Sequence, residues 1–420
     1  GKLDQSMFMN RSLRTSRLMR RLLQVDRPVP DRTLVAIETE RDSNFRWNFT
    51  VNVMDVAVYW FGASFLSAST IVPLFISKLT DSPLPIGLAA VIAQGGWYRP
   101  QLFTATIVER LPRKKPVVVN LGFFLERLPR WLIVVAPLLV FISPMLALLV
   151  FLLGYAWGEF GGGFLATSWQ DLIARCFPAN RRGRFLGVSF FVGAGTGAIA
   201  ASFSALLLES YPFPLNFFYI FLIAALAMLV SWFFLALTRE PVAPRPPRPV
   251  QSERIWRSSR SILKRDDNFR HFWLARLMLA LAGMGTGFVT VAALNRWEIA
   301  DSTVGFFTVA FLIGETAGNL FFGLLADRRG HKLPLEIGSL ALAASFGLAW
   351  LAPGPGWYYA VFTLLGIGSG SIITSGILIV LEFGRPEKRP TYAGLVNTSV
   401  GVVSVVAPLL GAGLAALGYN

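Results

Sequence analysis

Apolar stretches about as long as a bilayer is thick, separated by short polar turns, run through residues 48–416. A helix needs about 20 mostly apolar residues to cross roughly 30 Å of hydrocarbon. By that rule the pattern predicts helices near 48–77, 84–107, 117–142, 145–168, 183–208 and 214–237. A second series is predicted near 271–294, 303–326, 333–352, 356–381 and 391–416, about eleven spans in all. Barrel strands are excluded, because they alternate apolar and polar positions and these runs do not.

The polar turns carry a second pattern. Lys and Arg collect in the tail before Asn48, in Arg110–Lys115, in Arg175–Arg184, and in the long segment Arg239–Arg270. Arg328–Lys332 and Arg385–Arg389 complete that set. The intervening turns, at Lys78 to Asp81, Ser143-Pro144, Glu209–Pro214, Arg296–Asp301 and Pro353–Pro355, hold almost no basic residues. Basic and non-basic turns alternate without a break, so the positive-inside rule predicts a cytoplasmic basic face and a cytoplasmic N-terminus.

Composition agrees. The chain is 54% hydrophobic and 15% charged, where soluble domains carry roughly 25% charge. The formal net charge of +15 therefore reads as topology, and no nucleic-acid partner is expected. One cysteine, Cys176, leaves no intrachain disulfide, and His271 and His331 lie too far apart in sequence to suggest a metal centre. Residues 1–41 form a basic tail. Phe8, Leu18, Met19, Leu22 and Leu23 fall on one side of a helical wheel, opposite Arg14, Arg17, Arg20 and Arg21. That pattern suits a helix lying on an anionic inner leaflet, and it equally suits a partly disordered tail. No signal peptide is visible before residue 48. The chain begins at Gly1, with methionines only from Met7, which suggests a fragment or a misplaced start.

Four marks recur in order in the two series. Asp42-Ser-Asn44-Phe45-Arg46 corresponds to Asp266-Asp-Asn268-Phe269-Arg270, an offset of 224, and Asp81-Ser82 to Asp301-Ser302. Glu109-Arg110-Leu-Pro-Arg113-Lys114 corresponds to Asp327-Arg328-Arg-Gly-His331-Lys332, and Arg182 with Gly187 to Arg389 with Gly394, where the offset has drifted to 207. The halves are thus 42–240 and 266–420, joined by a charged, Pro-rich linker over 241–265. The second half shows one span fewer. A twelfth helix is expected beyond Asn420, and truncation is the simplest reason for its absence.

Gly323, Asp327, Arg328, Gly330 and Lys332, set between two apolar runs, together with the repeat marks, resemble the major facilitator superfamily (MFS) of transporters over essentially residues 42–420. The resemblance implies an all-α membrane protein of two pseudo-symmetric six-helix bundles, of bacterial origin and lodged in the inner membrane. It also implies a gate at these loops: Asp327 would cap a neighbouring helix or pair across the bundle, with Arg182 and Arg389 as candidate partners. The first-half copy is degenerate, with Ala105, Glu109 and Pro112 where glycine, aspartate and glycine are expected. The bland alternative is a solvated turn whose charges only set topology.

Charges inside spans cost at least ~2.5–3.5 kcal/mol and usually face a cavity. Asp55, Arg99, Glu159, Arg276 and Glu315 are the candidates. The resemblance puts Asp55, Glu159 and Arg276 on cavity-lining helices and Arg99 and Glu315 on flanking ones. Glu159 and Glu315, then Asp55, are expected to carry protons, and Arg99 to serve as counter-ion or anion anchor. Packing pairs among them are the alternative. Glu126 and Arg130, four apart, are expected to pair locally, with the third helix peripheral and its Arg127 and Arg130 structural, snorkelling toward the cytoplasm. Gly158, Gly161, Gly162 and Gly163, Gly193, Gly195 and Gly197, and Gly366, Gly368, Gly370 and Gly376 allow close helix approach.

These observations point to secondary active transport of a small solute, driven by protons, by a monomer needing no cofactor. Two other classes stay open. A non-transporting sensor on the same fold would have a plugged cavity. A lipid-modifying enzyme would need clustered catalytic residues, which are not seen. No phosphate-binding loop of the ATPase type occurs.

Overall fold

The computed structural model describes residues 17–30, 32–109, 111–242, 262–376, 379–383 and 389–417. Within these, the side chains of 34, 97–109, 179–180, 182–184, 327, 381–382, 389–391 and 393–394 are not described. Among the described residues every regular element is helical. Two short helices open the chain, α1 (Arg17–Leu22) and α2 (Leu34–Ser43). The first apolar run is broken into α3 (Phe45–Ser64) and α4 (Ile71–Ser77). Next come α5 (Leu84–Glu109), two π-helical stretches (Val117–Leu121 and Phe123–Arg127) and α6 (Leu128–Leu139). The long helices α7 (Pro144–Cys176), α8 (Ala179–Ser210) and α9 (Leu215–Ala236) follow.

The second series begins with α10 (Asp267–Ala282), a single tight turn at Gly283–Gly285, and α11 (Thr286–Trp297). It continues through α12 (Asp301–Arg329), α13 (Lys332–Leu351), α14 (Trp357–Thr374) and α15 (Arg389–Ala415). Eight helices among the described residues are long and apolar enough to cross a membrane. They present large apolar side chains outward, such as Phe191, Leu320 and Leu340, as lipid-facing helices do. The repeat marks fall at helix starts: Asp266 caps α10, its carboxylate accepting from the Phe269 N–H at 3.0 Å, and Asn44 stands before α3.

Packing is selective. Helix α3 lies against α8 and α9, α7 against α5 and α6, α14 against α12 and α13, and α10 against α15. Between the two series, α8 meets α12, α5 meets α15, and α4 meets α11. At the end away from the basic turns one apolar core runs through both series, uniting Phe75, Phe151 and Phe221 with Phe288, Phe307 and Phe362. Polar links reinforce it there. Thr70 and Thr308 share a hydrogen bond of 2.6 Å, Thr290 Oγ1 donates to the Ser69 carbonyl at 2.6 Å, and Lys78 pairs with Asp301 at 2.8 Å. Toward the basic turns the cores separate. One holds Val118, Leu172, Phe177 and Phe185; the other holds Phe269, Leu335, Tyr392 and Val396.

The tail departs from expectation. Met19, Leu22, Leu23 and Val25 pack on Leu111, Val117, Leu121 and Leu165, and the Leu22 carbonyl accepts from Asn120 at 2.6 Å. Arg113 donates to the Arg27 and Pro28 carbonyls at 3.1 and 2.7 Å. The apolar stripe of α1 is therefore spent on the protein itself instead of a leaflet, though Leu18 stays exposed. Phe8 and Arg14 lie outside the described residues.

Candidate functional site

One face of α3 carries polar residues at helical spacing, Asn48, Asn52, Asp55 and Tyr59, in an otherwise apolar run. Each finds a partner inside the first series. Asn48 exchanges two hydrogen bonds of 2.9 Å with the Arg239 backbone, and Thr238 Oγ1 donates to Asn52 at 3.3 Å. Ser231 Oγ donates to Asp55 Oδ1 at 2.6 Å. Tyr59 donates its hydroxyl to Glu126 Oε1 at 2.9 Å.

Glu126 opens onto a buried charge cluster. It pairs with its neighbour Arg127, whose guanidinium also lies over the Tyr59 ring, 5.7 Å from the centroid. One turn on, Arg130 Nη2 reaches Glu159 Oε1 of α7 at 3.1 Å. Arg127 and Arg130 are each only 4% exposed and Glu126 7%, while Glu159 keeps 22%. Asp55 lies within electrostatic range of Glu126 and Arg127. The expected Glu126–Arg130 pair is thus not formed, and neither arginine snorkels. Other partners take these groups instead: Glu126 holds Arg127 and accepts from the Tyr59 hydroxyl, while Arg130 faces Glu159 of α7.

Glycines make the cluster possible. A Cβ at Gly161 would stand 1.9 Å from the Leu125 carbonyl oxygen, and one at Gly158 3.1 Å from Arg130 Cζ. Backbone alone lets α7 come this close to the π-helical stretch. On the other side of α7, a Cβ at Gly96 would stand 2.8 Å from Glu159 Cβ, which fixes α5 beside the same carboxylate. Arg99, three residues further along α5, has a side chain outside the described set.

The remaining candidates lie elsewhere. Glu315 of α12 accepts from Ser369 of α14 at 3.3 Å. Its surroundings are a close helix crossing in which Cβ atoms at Gly314 and Gly366 would stand 2.1 and 2.0 Å from backbone carbonyls. The Arg276 guanidinium packs on Gly376, where a Cβ would be 3.1 Å from Nη1. At the predicted gate, Gly323 has open space, Arg328 and Arg329 are exposed, and Lys332 pairs with Glu336 on its own helix at 3.7 Å. Gly330 ends α12 at φ +77° and ψ 171°, a conformation open in practice only to glycine. His331 Nδ1 lies 3.2 Å from Ser375 Oγ, which ties the turn to the end of α14. The side chains of Glu109, Arg182, Asp327 and Arg389 lie outside the described residues, and Arg110 does so entirely.

Two features escaped the sequence. Tyr59 on α3 bridges to Glu126 through its hydroxyl. Glu240, just past α9, accepts from the Lys114 and Lys115 amides, both at 2.9 Å, and meets Arg175 at 3.4 Å. Burial pushes its carboxyl above the usual carboxylate range. Lys114 and Arg175 also reach Asp171, at 3.1 and 3.5 Å. Glu240 thereby binds the turn before the third apolar run to the ends of α7 and α9. A lone acid after an apolar run, facing a basic turn, was the available signal.

The sequence model of the Major Facilitator Superfamily matches residues 118–297 and again 292–420. Among curated proteins the chain is 34% identical over 140 residues to the 3-(3-hydroxy-phenyl)propionate transporter of Escherichia coli (strain K12), covering 32% of each chain. It is 29% identical over 108 residues to the efflux pump hmp6 of Hypomyces subiculosus, covering 26% of this chain and 19% of that one. These matches span between a fifth and a third of the relatives' lengths. In structure it is similar to a POT family transporter solved with 5-aminolevulinic acid, with a TM-score of 0.64 at 12% identity, covering 88% of this chain and 91% of that one. Matched by that model from residue 118 to its end, and built of apolar helices long enough to span a bilayer many times, the protein is a multi-pass membrane protein belonging to the Major Facilitator Superfamily, a family of transporters and not of enzymes.

Proposed function

We propose that the protein is a proton-coupled secondary transporter that carries a small solute by alternating access. One observation carries the reading: the two helix series share a core at one end and keep separate cores at the other. Two bundles, 42–240 and 266–420, joined by 241–265, would rock about the α5–α15 and α8–α12 contacts to expose a central site first to one side and then to the other. The charge pattern of the turns supports a cytoplasmic N-terminus and basic face, in a bacterial inner membrane. On that orientation the described contacts correspond to an inward-open state. The protein works as a monomer in this reading.

Glu159 and Glu315 are the proposed proton carriers, with Asp55 third. Arg99 and Arg276 complete the polar lining of the site. Gly323, Asp327, Arg328, Gly330 and Lys332, together with Glu109, Arg110, Arg182 and Arg389, are the proposed inner gate. The open space at Gly323 and the exposed Arg328 fit a gate that is apart in this state.

The test is uptake into proteoliposomes driven by an inward proton gradient, across a panel of sugars, amino acids, small acids and amphiphiles. The named cargo of the Escherichia coli relative, an aromatic acid, heads the panel. Accumulation that collapses with a protonophore is expected. Glu159→Gln and Glu315→Gln should each uncouple uptake from the gradient. A protein that binds solutes but moves none under any gradient refutes the proposal in favour of a sensor.

A further inference from the structure

The guanidinium of Arg130 is permanently charged and presents five N–H donors. Only Nη2 is used, by Glu159; Nε and Nη1 are buried with no hydrogen-bond partner, as is Nε of Arg127. Buried donors of a cation are costly to leave unmade and call for an acceptor. Among the described residues no side chain accepts from them. Gly158 lies directly against the Arg130 guanidinium and Gly162 beside the Glu126 carboxylate, so α7 offers bare backbone there.

The charges of the four groups cancel, Glu126 and Glu159 against Arg127 and Arg130, and the nearby Asp55 on α3, held by Ser231, adds no cation to receive a further negative charge. A negative ligand entering alone would leave one uncompensated charge in a poorly solvated interior, which is strongly unfavourable. A negative ligand entering with one proton leaves the sum unchanged. Glu159 is the member best placed to take that proton, being the most exposed of the four. The groups that face it are Arg130 and Glu126 from the third apolar run, Tyr59 from α3 and Tyr155 from its own helix. Helix α5 contributes the Gly96 backbone, with Arg99 one turn away.

We infer that Arg130 anchors a carboxylate-bearing substrate, which displaces Glu159 and is carried together with the proton that Glu159 takes up. The inference deepens the transporter reading and rests on it. A proton from water adds to Glu159, the Arg130–Glu159 ion pair breaks, and Nη2 is released. Nη2 with Nη1, or Nη2 with Nε, then forms a two-pronged edge that matches a carboxylate. No covalent bond to the substrate forms. A monocarboxylate is then moved with no net charge.

The experiment uses the purified full chain in detergent, with benzoate, 3-phenylpropionate and hexanoate as probes and their amides as uncharged controls. Thermal shift and calorimetry in buffers of different ionisation enthalpy read affinity and protons taken up. Expected is binding of at least one acid, tighter at about pH 6 than about pH 8, with close to one proton absorbed and no response to the amides. Glu159→Gln should keep binding and lose its pH dependence. Arg130→Gln should weaken binding roughly 10- to 100-fold, with Arg130→Lys between. Should Arg130→Gln not fold, Arg130→Gln/Glu159→Gln removes both charges of the pair together and must still lose the acid. Equal binding of acids and amides, an unchanged pH dependence in Glu159→Gln, or no response to any acid overturns the inference. Liposome uptake of an uncharged solute that survives Arg130→Gln would overturn it too, while leaving the transporter reading intact. Acid binding without any uptake would overturn the transporter reading and the carriage step with it, leaving Arg130 as an acid-binding site alone.

Discussion

Helices α8 and α12 touch most closely at Gly305, where an added Cβ would stand 2.6 Å from the Ala205 nitrogen and 2.7 Å from its Cα and Cβ. Ordinary contact begins at 3.4 Å, so Gly305→Ala must part the two backbones by about 0.8 Å, the difference between those distances. The obstruction is main chain, and no side chain can turn aside. Overpacking of this kind costs about 1–3 kcal/mol. In the alternating-access reading this cost falls only on the state with the contact closed. The opposite state should therefore gain roughly 5- to 150-fold in population. Thr308→Cys reports it. Thr308 is buried at that same end and bonded to Thr70, so a thiol there reacts only when the end opens. In a Cys176→Ser background the maleimide labelling rate of Thr308→Cys should rise by that factor when Gly305→Ala is added. A protein that is destabilised by Gly305→Ala, yet labels at an unchanged rate, would mean that this contact does not open and would refute the reasoning.

Three further outcomes are expected. Gly330→Ala places a side chain at φ +77° and should cost about 1–3 kcal/mol of stability in a denaturation assay, whereas Gly323→Ala, with open space around it, should be neutral or slightly stabilising. Glu240 has a folded-state pKa raised above its unfolded value, so the folded protein binds the extra proton. Its contribution to stability should then fall as pH rises from the unfolded carboxylate value through the raised one. A Glu240→Gln melting curve series should lack that slope, and an identical slope would refute the assignment. Thr70→Val removes the hydrogen bond to Thr308, whose hydroxyl keeps the Val304 carbonyl at 3.2 Å, and should destabilise by about 0.5–1.5 kcal/mol in the same denaturation assay. If the two hydroxyls act as one link, Thr70→Val/Thr308→Val should lose less than the sum of the two single changes.

Helices over 84–107, 145–168 and 303–326 were legible because an apolar run of that length has only one way to satisfy its backbone in a bilayer. The family was legible in Gly323 to Lys332, where charge and turn chemistry are local. What could not be read was geometry that depends on a neighbour. Glu126 and Arg130 were paired by α-helical spacing, yet Tyr59 of α3 and Glu159 of α7, brought close at Gly158 and Gly161, gave them different partners. The stripe of Leu22 and Leu23 has the same periodicity whether it meets lipid or Leu121. The first run, 48–77, read as one helix, because nothing in the apolar pattern marks the break at Phe65–Thr70.

That break has a counterpart at Gly283–Gly285, and beyond the two lie α4, seven residues long, and α11, twelve residues long, packed on each other. Short levers on hinges need not wait for the long rods behind them. In the alternating-access reading a solute at that mouth meets a pair of doors that swing before the walls tilt, so release there occurs in two steps with different rates.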